Sequence, residues 1–182
     1  AWALPDRVER VALLSSAGSF DVPGAMDGMS RASRFLWLAA RWQPQVLGWM
    51  LTRQARAWRD EAHFRQQLTR SLDDPDRAAI AALEPRRQER FRQELVEAMS
   101  MGSSGTVEEM RLVRAPWGFG VGSIRVPVQL WHGEQDQAMP LAMGGWLAAM
   151  LPDCKPHFLR GEGHFSTILH HSEDAFDWLL GD

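Results

Sequence analysis

Tyrosine is absent from the 182-residue chain and cysteine occurs once, at Cys154. A lone thiol excludes an internal disulfide framework and fits a reducing compartment, so a cytoplasmic location is expected. No apolar run approaches the roughly 20 residues that a transmembrane helix needs. Charge of one sign is not in excess either: 20 basic and 23 acidic side chains leave a formal net charge of −3. Such a balance gives no electrostatic reason to bind nucleic acid or an anionic membrane. Repeats, low-complexity tracts and flexible linkers are missing. His170 and His171 lack carboxylates or thiols at ligand spacing, so no metal is expected. The glycine alternation Trp117-Gly118-Phe119-Gly120-Val121-Gly122 is no dinucleotide fingerprint, since no strand precedes it and no helix follows. No cofactor is therefore expected. The nine Trp beside no Tyr fit a GC-rich coding bias and carry no functional reading. The length suffices for one domain with a sizeable core.

What is present is concentrated between Val126 and Ser166. The apolar run Val126-Pro127-Val128-Gln129-Leu130 leads into Trp131-His132-Gly133-Glu134-Gln135-Asp136. A second run, Pro156-His157-Phe158-Leu159-Arg160, leads into Gly161-Glu162-Gly163-His164-Phe165. Each reads as a short buried strand entering a glycine turn, with an ionisable residue just beyond. Between them, Pro140 to Leu151 reads as an apolar helix with proline at its start. Parallel strand–helix–strand units place their reactive groups at the carboxyl ends of the strands. Asp136 and His164 are thus expected side by side on one edge of a sheet.

Upstream, Val8 to Ser15 reads as another buried parallel strand, and Ser16 to Gly28 as a loop rich in turn residues, Asp21 among them. From about Met29 to Ala115 the pattern is helical almost throughout. Helices are expected over Ser30–Trp42, from Pro44, over Glu61–Leu72, from Asp74-Pro75-Asp76 and from Pro85. A sixth is expected from Thr106, which with Glu109 forms a capping-box pattern. The Arg-rich faces (Arg53, Arg56 and Arg59; Arg86, Arg87, Arg90 and Arg92) read as solvated helix surface. The last helix is expected over Glu173–Leu180, capped by Ser172.

The strand-HGxxD pattern at Asp136 and the GxGHF pattern at His164 resemble the C-terminal end of an α/β-hydrolase. In that fold the triad runs nucleophile, acid, histidine along the chain. The resemblance implies Asp136 as the acid and His164 as the base, with Asp21 as the alternative acid. It also implies that the helical block is an inserted cap roofing the active site, with Trp37, Trp42, Trp49 and Met50 as its substrate-lining residues. The expected division is hydrolase core 1–24, cap 25–118 and core 119–182. The fold class is α/β: the C-terminal part of a parallel hydrolase sheet with an all-helical insertion.

No Gly-x-Ser-x-Gly elbow occurs. Gly102-Ser103-Ser104-Gly105 is followed by Thr106 and has no strand before it. The opening Ala1-Trp2-Ala3-Leu4-Pro5-Asp6-Arg7-Val8 resembles the end of the helix that follows the nucleophile in these enzymes. The nucleophile and oxyanion hole are therefore expected in an upstream half of the same protein. That half is the expected partner, or failing it a second copy pairing through the open sheet edge. The expected activity of the whole is hydrolysis of a small or medium apolar ester or acyl substrate. Alternatives are a dehalogenase or epoxide hydrolase with an Asp nucleophile, and a non-catalytic binding protein of the same fold.

Overall fold

A computed structural model describes residues 1–181, Thr69 by its backbone only. The chain divides into two compact units, 1–30 with 116–182 forming one and 31–115 the other.

The first unit is built on a three-stranded parallel sheet in the order β1 (Val11–Leu14), β2 (Val128–Gly133), β3 (Cys154–Leu159). Val11 pairs with Val128 and Leu14 with Trp131, while Gly133 pairs with Leu159. Strand β2 is central and buried over most of its length, which is why it is mostly apolar, its polar members Gln129 and His132 each hydrogen-bonded inside the fold. Helix α7 (Leu141–Met150) packs against β2 and β3, and α8 (His164–Leu180) against β1 and β2. Val128, Leu130, Leu147, Leu151 and Val121 form the core of this unit. Removing a side chain such as Leu130 wholly from water contributes about 1.5–3 kcal/mol. At the far end of α8, Trp178 lies under the Arg10 guanidinium and its carbonyl accepts a hydrogen bond from Arg10 Nη1 at 2.9 Å. This ties the C-terminal helix to the chain just before β1.

The second unit holds six helices: α1 (Arg31–Trp42), α2 (Pro44–Ala57), α3 (Glu61–Ser71), α4 (Asp74–Ala82), α5 (Pro85–Ala98) and α6 (Ser104–Arg114). Proline opens α2 and α5, where its missing N–H costs nothing. Asp60 and Asp73 cap α3 and α4 through backbone N–H groups of His63 and Asp76. Ala39, Ala40, Leu47, Leu51 and Val107 form the core where α1, α2 and α6 meet.

Two helix starts differ from the sequence reading. Helix α8 begins at His164, not Glu173, and Ser172 lies inside it, its hydroxyl bonded back to the Ile168 carbonyl. The polar run His170-His171-Ser172 mimics a cap but lies within a continuous helix, His170 exposed and His171 and Ser172 half-buried. Helix α6 begins at Ser104 rather than at a Thr106 cap. The Thr106 hydroxyl instead reaches the Met99 sulfur at 3.8 Å.

Candidate active site

Because β2 and β3 are parallel and adjacent, their carboxyl ends open on the same edge, and the two loops leaving them are stitched together. Glu134 N–H donates to the Leu159 carbonyl at 3.0 Å and Gln135 N–H to the Glu162 carbonyl at 2.9 Å. Gly133 makes this approach feasible. A Cβ there would stand 2.4 Å from the Glu162 carbonyl oxygen and 2.5 Å from that of Gly163.

Asp136 is held in the first of these loops with its side chain fully buried. Its Oδ1 accepts the N–H groups of Ala138 at 2.8 Å and Met139 at 2.7 Å, a local turn that fixes the carboxyl plane. Its Oδ2 lies 2.8 Å from His164 Nδ1. The His164 side chain keeps 22 % of its surface exposed. A carboxylate at Nδ1 selects the tautomer with the proton on that nitrogen and leaves Nε2 as a proton acceptor.

His164 owes its position to the start of α8. Ser166 Oγ accepts the Gly163 N–H at 2.7 Å, Thr167 Oγ1 donates to the Gly163 carbonyl at 2.6 Å, and both side chains are buried. From β1, Ser15 Oγ donates to the His164 carbonyl at 2.8 Å. Ser15 is buried and adopts φ +46°, a left-handed conformation uncommon for a non-glycine residue. Sequence reasoning missed these supports. The only signal was a small hydroxyl residue at the end of an apolar strand and another at the third position of α8.

His132 is wholly buried in β2. Burial pushes its pKa below the usual histidine value, against the opposing effects of the Met139 carbonyl and Asp136. Glu162 is also shifted. Burial raises its pKa, but hydrogen bonds from Ser166 and His170 outweigh that and lower it. Asp21 is exposed in a turn, where its N–H meets Ser19 Oγ, and the carboxylate on His164 is that of Asp136. Among the described residues, no group of three or more His, Cys, Asp and Glu could hold a metal ion. None of the described helices is long and apolar enough to cross a membrane.

In the helical unit, Trp37 is buried and Met50 half-buried, whereas Trp42 and Trp49 are 66 % and 65 % exposed. Trp42 carries the Arg41 guanidinium over its ring and Trp49 that of Arg53. Trp49 also lines a groove of about 610 Å³ with Thr52, Arg53, Arg56 and Ser103.

No protein-family model matches the chain. Over 64 residues it is 41 % identical to the pimeloyl-[acyl-carrier protein] methyl ester esterase of Aromatoleum aromaticum, a match covering 35 % of this chain and 25 % of that protein. Solved structures match over nearly the whole chain. A hydrolase from Pseudomonas aeruginosa superposes with a TM-score of 0.59 at 19 % identity, covering 100 % of this chain and 60 % of its own. A bromoperoxidase from Bacillus anthracis gives 0.58 at 14 % identity, with 97 % and 59 % covered. An esterase from a Rhodococcus species gives 0.54 at 16 % identity, with 97 % and 57 % covered. The chain thus spans a quarter of its curated relative in the matched region and about three fifths of these structures.

Proposed function

We propose that this chain, which has the α/β-hydrolase fold, is the C-terminal part of a cap-bearing serine hydrolase in which His164 is the general base and Asp136 its orienting acid. The observation that carries this reading is the 2.8 Å contact between a partly exposed imidazole and a fully buried carboxylate at adjacent strand ends. The Aromatoleum aromaticum relative is an esterase, which favours ester substrates.

In this reading a serine supplied by the upstream part of the protein attacks the ester carbonyl. His164 Nε2 takes the hydroxyl proton as the new C–O bond forms. The imidazolium that results is stabilised through Nδ1–H by Asp136 Oδ2. Nε2 then returns that proton to the departing alkoxide as the acyl C–O bond breaks. A water activated in the same way releases the acid and restores the serine. Trp37, Trp42, Trp49 and Met50 are the proposed substrate contacts of the cap, and a small or medium apolar acyl group is the substrate class that suits them.

Hydrolysis of a series of p-nitrophenyl esters by the intact protein tests the proposal. His164→Ala should lower turnover by about four orders of magnitude or more, with the protein still folded. Unchanged turnover in that variant would overturn it. Activity on haloalkanes or epoxides with none on esters would instead assign an Asp nucleophile.

A further inference from the structure

The acid loop has a support that the acid–base pair does not itself explain. His132 sits four residues before Asp136, inside β2, with no exposed surface. Its Nε2 lies 2.8 Å from the Met139 carbonyl oxygen. A carbonyl only accepts, so Nε2 carries the proton and donates. Nδ1 is then the unprotonated nitrogen, and it is buried with no hydrogen-bond partner. Protonating it would place a charged ring deep in the sheet, and burial, outweighing the Met139 and Pro140 carbonyls, holds its pKa below the usual histidine value. The ring therefore stays neutral, and its single N–H stays committed to Met139.

Gly144 on α7 makes the space for this ring. A Cβ at that position would stand 2.6 Å from His132 Cγ and 2.8 Å from Nδ1. A helix interior gives up stability to hold glycine there, and what it gains is a buried imidazole at this one spot. The residue that His132 grips is the one whose N–H binds Asp136 Oδ1 at 2.7 Å. A continuous path thus runs from His132 Nε2–H to the Met139 carbonyl, from Met139 N–H to Asp136 Oδ1, and from Asp136 Oδ2 to His164 Nδ1.

We propose that His132 is a positioning residue for the acid–base pair: by anchoring Met139 from inside the sheet, it fixes the rotation of the Asp136 carboxylate so that Oδ2 faces His164. The inference rests on the roles given to Asp136 and His164 above. The Gln137 and Pro140 carbonyls are held by the N–H groups of Ser30 and Met143, so without the anchor it is the Met139 peptide between them that turns, and the carboxylate turns with the N–H groups that hold it. Ground-state substrate binding does not depend on that rotation, whereas proton transfer does.

The test uses two amides in the intact protein. In His132→Gln the side-chain N–H reaches the position of Nε2 and can still donate to Met139. In His132→Asn the amide stops one bond short, at the position of Nδ1. We expect His132→Asn to lower kcat by roughly 10- to 100-fold with KM within about twofold, and His132→Gln to recover most of the loss. A second readout is independent of turnover: the far-downfield NMR resonance of the His164 Nδ1–H, assigned by its loss in His164→Ala. It should persist in His132→Gln and broaden away or move upfield in His132→Asn. Equal kcat and an unmoved resonance in both variants would overturn the proposal, and so would equal damage in both, which would make the ring mere packing. If His132→Asn does not fold, His132→Gln decides alone, retention of kcat and resonance supporting the anchor and their loss refuting it. Should His164→Ala leave turnover unchanged, the hydrolase reading falls, while the resonance still reports whether His132 orients Asp136.

Discussion

Gly133→Ala is the substitution whose effect the geometry specifies most closely. The new Cβ would lie 2.4 Å from the Glu162 carbonyl oxygen, 2.5 Å from that of Gly163 and 2.7 Å from the Glu162 carbonyl carbon. All three are backbone atoms, so no rotamer change relieves the clash. Reaching even 3.0 Å, below which real Cβ contacts essentially do not occur, needs an opening of 0.6 Å. The loop that must move is the one carrying His164, whose Nδ1 is 2.8 Å from Asp136 Oδ2. Displaced by that amount, the pair leaves the range of a good N–H···O bond, which ends near ~3.2 Å. A misplacement approaching 1 Å costs about 100-fold in rate, and forced overpacking costs about 1–3 kcal/mol in stability. We therefore expect kcat for ester hydrolysis to fall roughly 30- to 100-fold in the intact protein. The melting temperature should drop by about 2–4 °C for each kcal/mol lost. Gly145→Ala is the matched control: its Cβ meets nothing within 4 Å, and in a helix interior the change should be neutral or stabilising by up to ~1 kcal/mol. A Gly133→Ala protein with turnover within twofold of the parent and an unchanged melting temperature would refute the reasoning.

Asp136→Asn should lower kcat by about four orders of magnitude, because an amide N–H facing Nδ1 forces the proton onto Nε2; stopped-flow ester hydrolysis reads this, and a loss under tenfold would contradict it. Stability should fall on acidification from near neutral pH: His132 and His157 have pKa values lowered by burial in the folded state, so below the unfolded value near ~6.5 the unfolded chain binds more protons. His132→Gln should flatten that part of a denaturant-midpoint-versus-pH curve, and an unaltered slope would dismiss His132 as a contributor. Residues 1–182 alone should not hydrolyse p-nitrophenyl esters above background but should gain activity when the upstream segment is added; robust activity of the chain alone would show that the nucleophile lies within it. Leu47→Ala, at a site with no exposed surface, should destabilise the helical unit by about 2–5 kcal/mol, read as a lowered midpoint in chemical denaturation.

The strands and the two ionisable residues were legible because each signal is local. An apolar run, a glycine turn and a following Asp or His need no knowledge of the rest of the chain, and proline marked the starts of α2 and α5. Strand β1 proved shorter than the run Val8–Ser15, since only Val11–Leu14 finds ladder partners on β2. The start of α8 was hidden because its cap is one-sided: Gly163 has no side chain to read, and the hydroxyl that satisfies its N–H comes from Ser166, inside the helix. The supports at Ser15 and His132 were illegible for a different reason. Their partners, the His164 and Met139 carbonyls, are backbone atoms, and backbone acceptors leave no trace in residue identity.

The insertion of a whole helical unit between β1 and β2 has a kinetic side. Val11 must find Val128 across the entire intervening chain, and closing a loop on the order of 100 residues slows such pairing. The first and last helices of the insertion, α1 and α6, pack against each other, so a unit that condenses early brings its own ends together. Only about 30 residues then remain to be ordered in closing the sheet, a saving of roughly 1 kcal/mol in chain entropy. An insertion that condenses early acts as a folding clamp, so mutations in its own core, such as Leu47→Ala, should slow formation of the sheet.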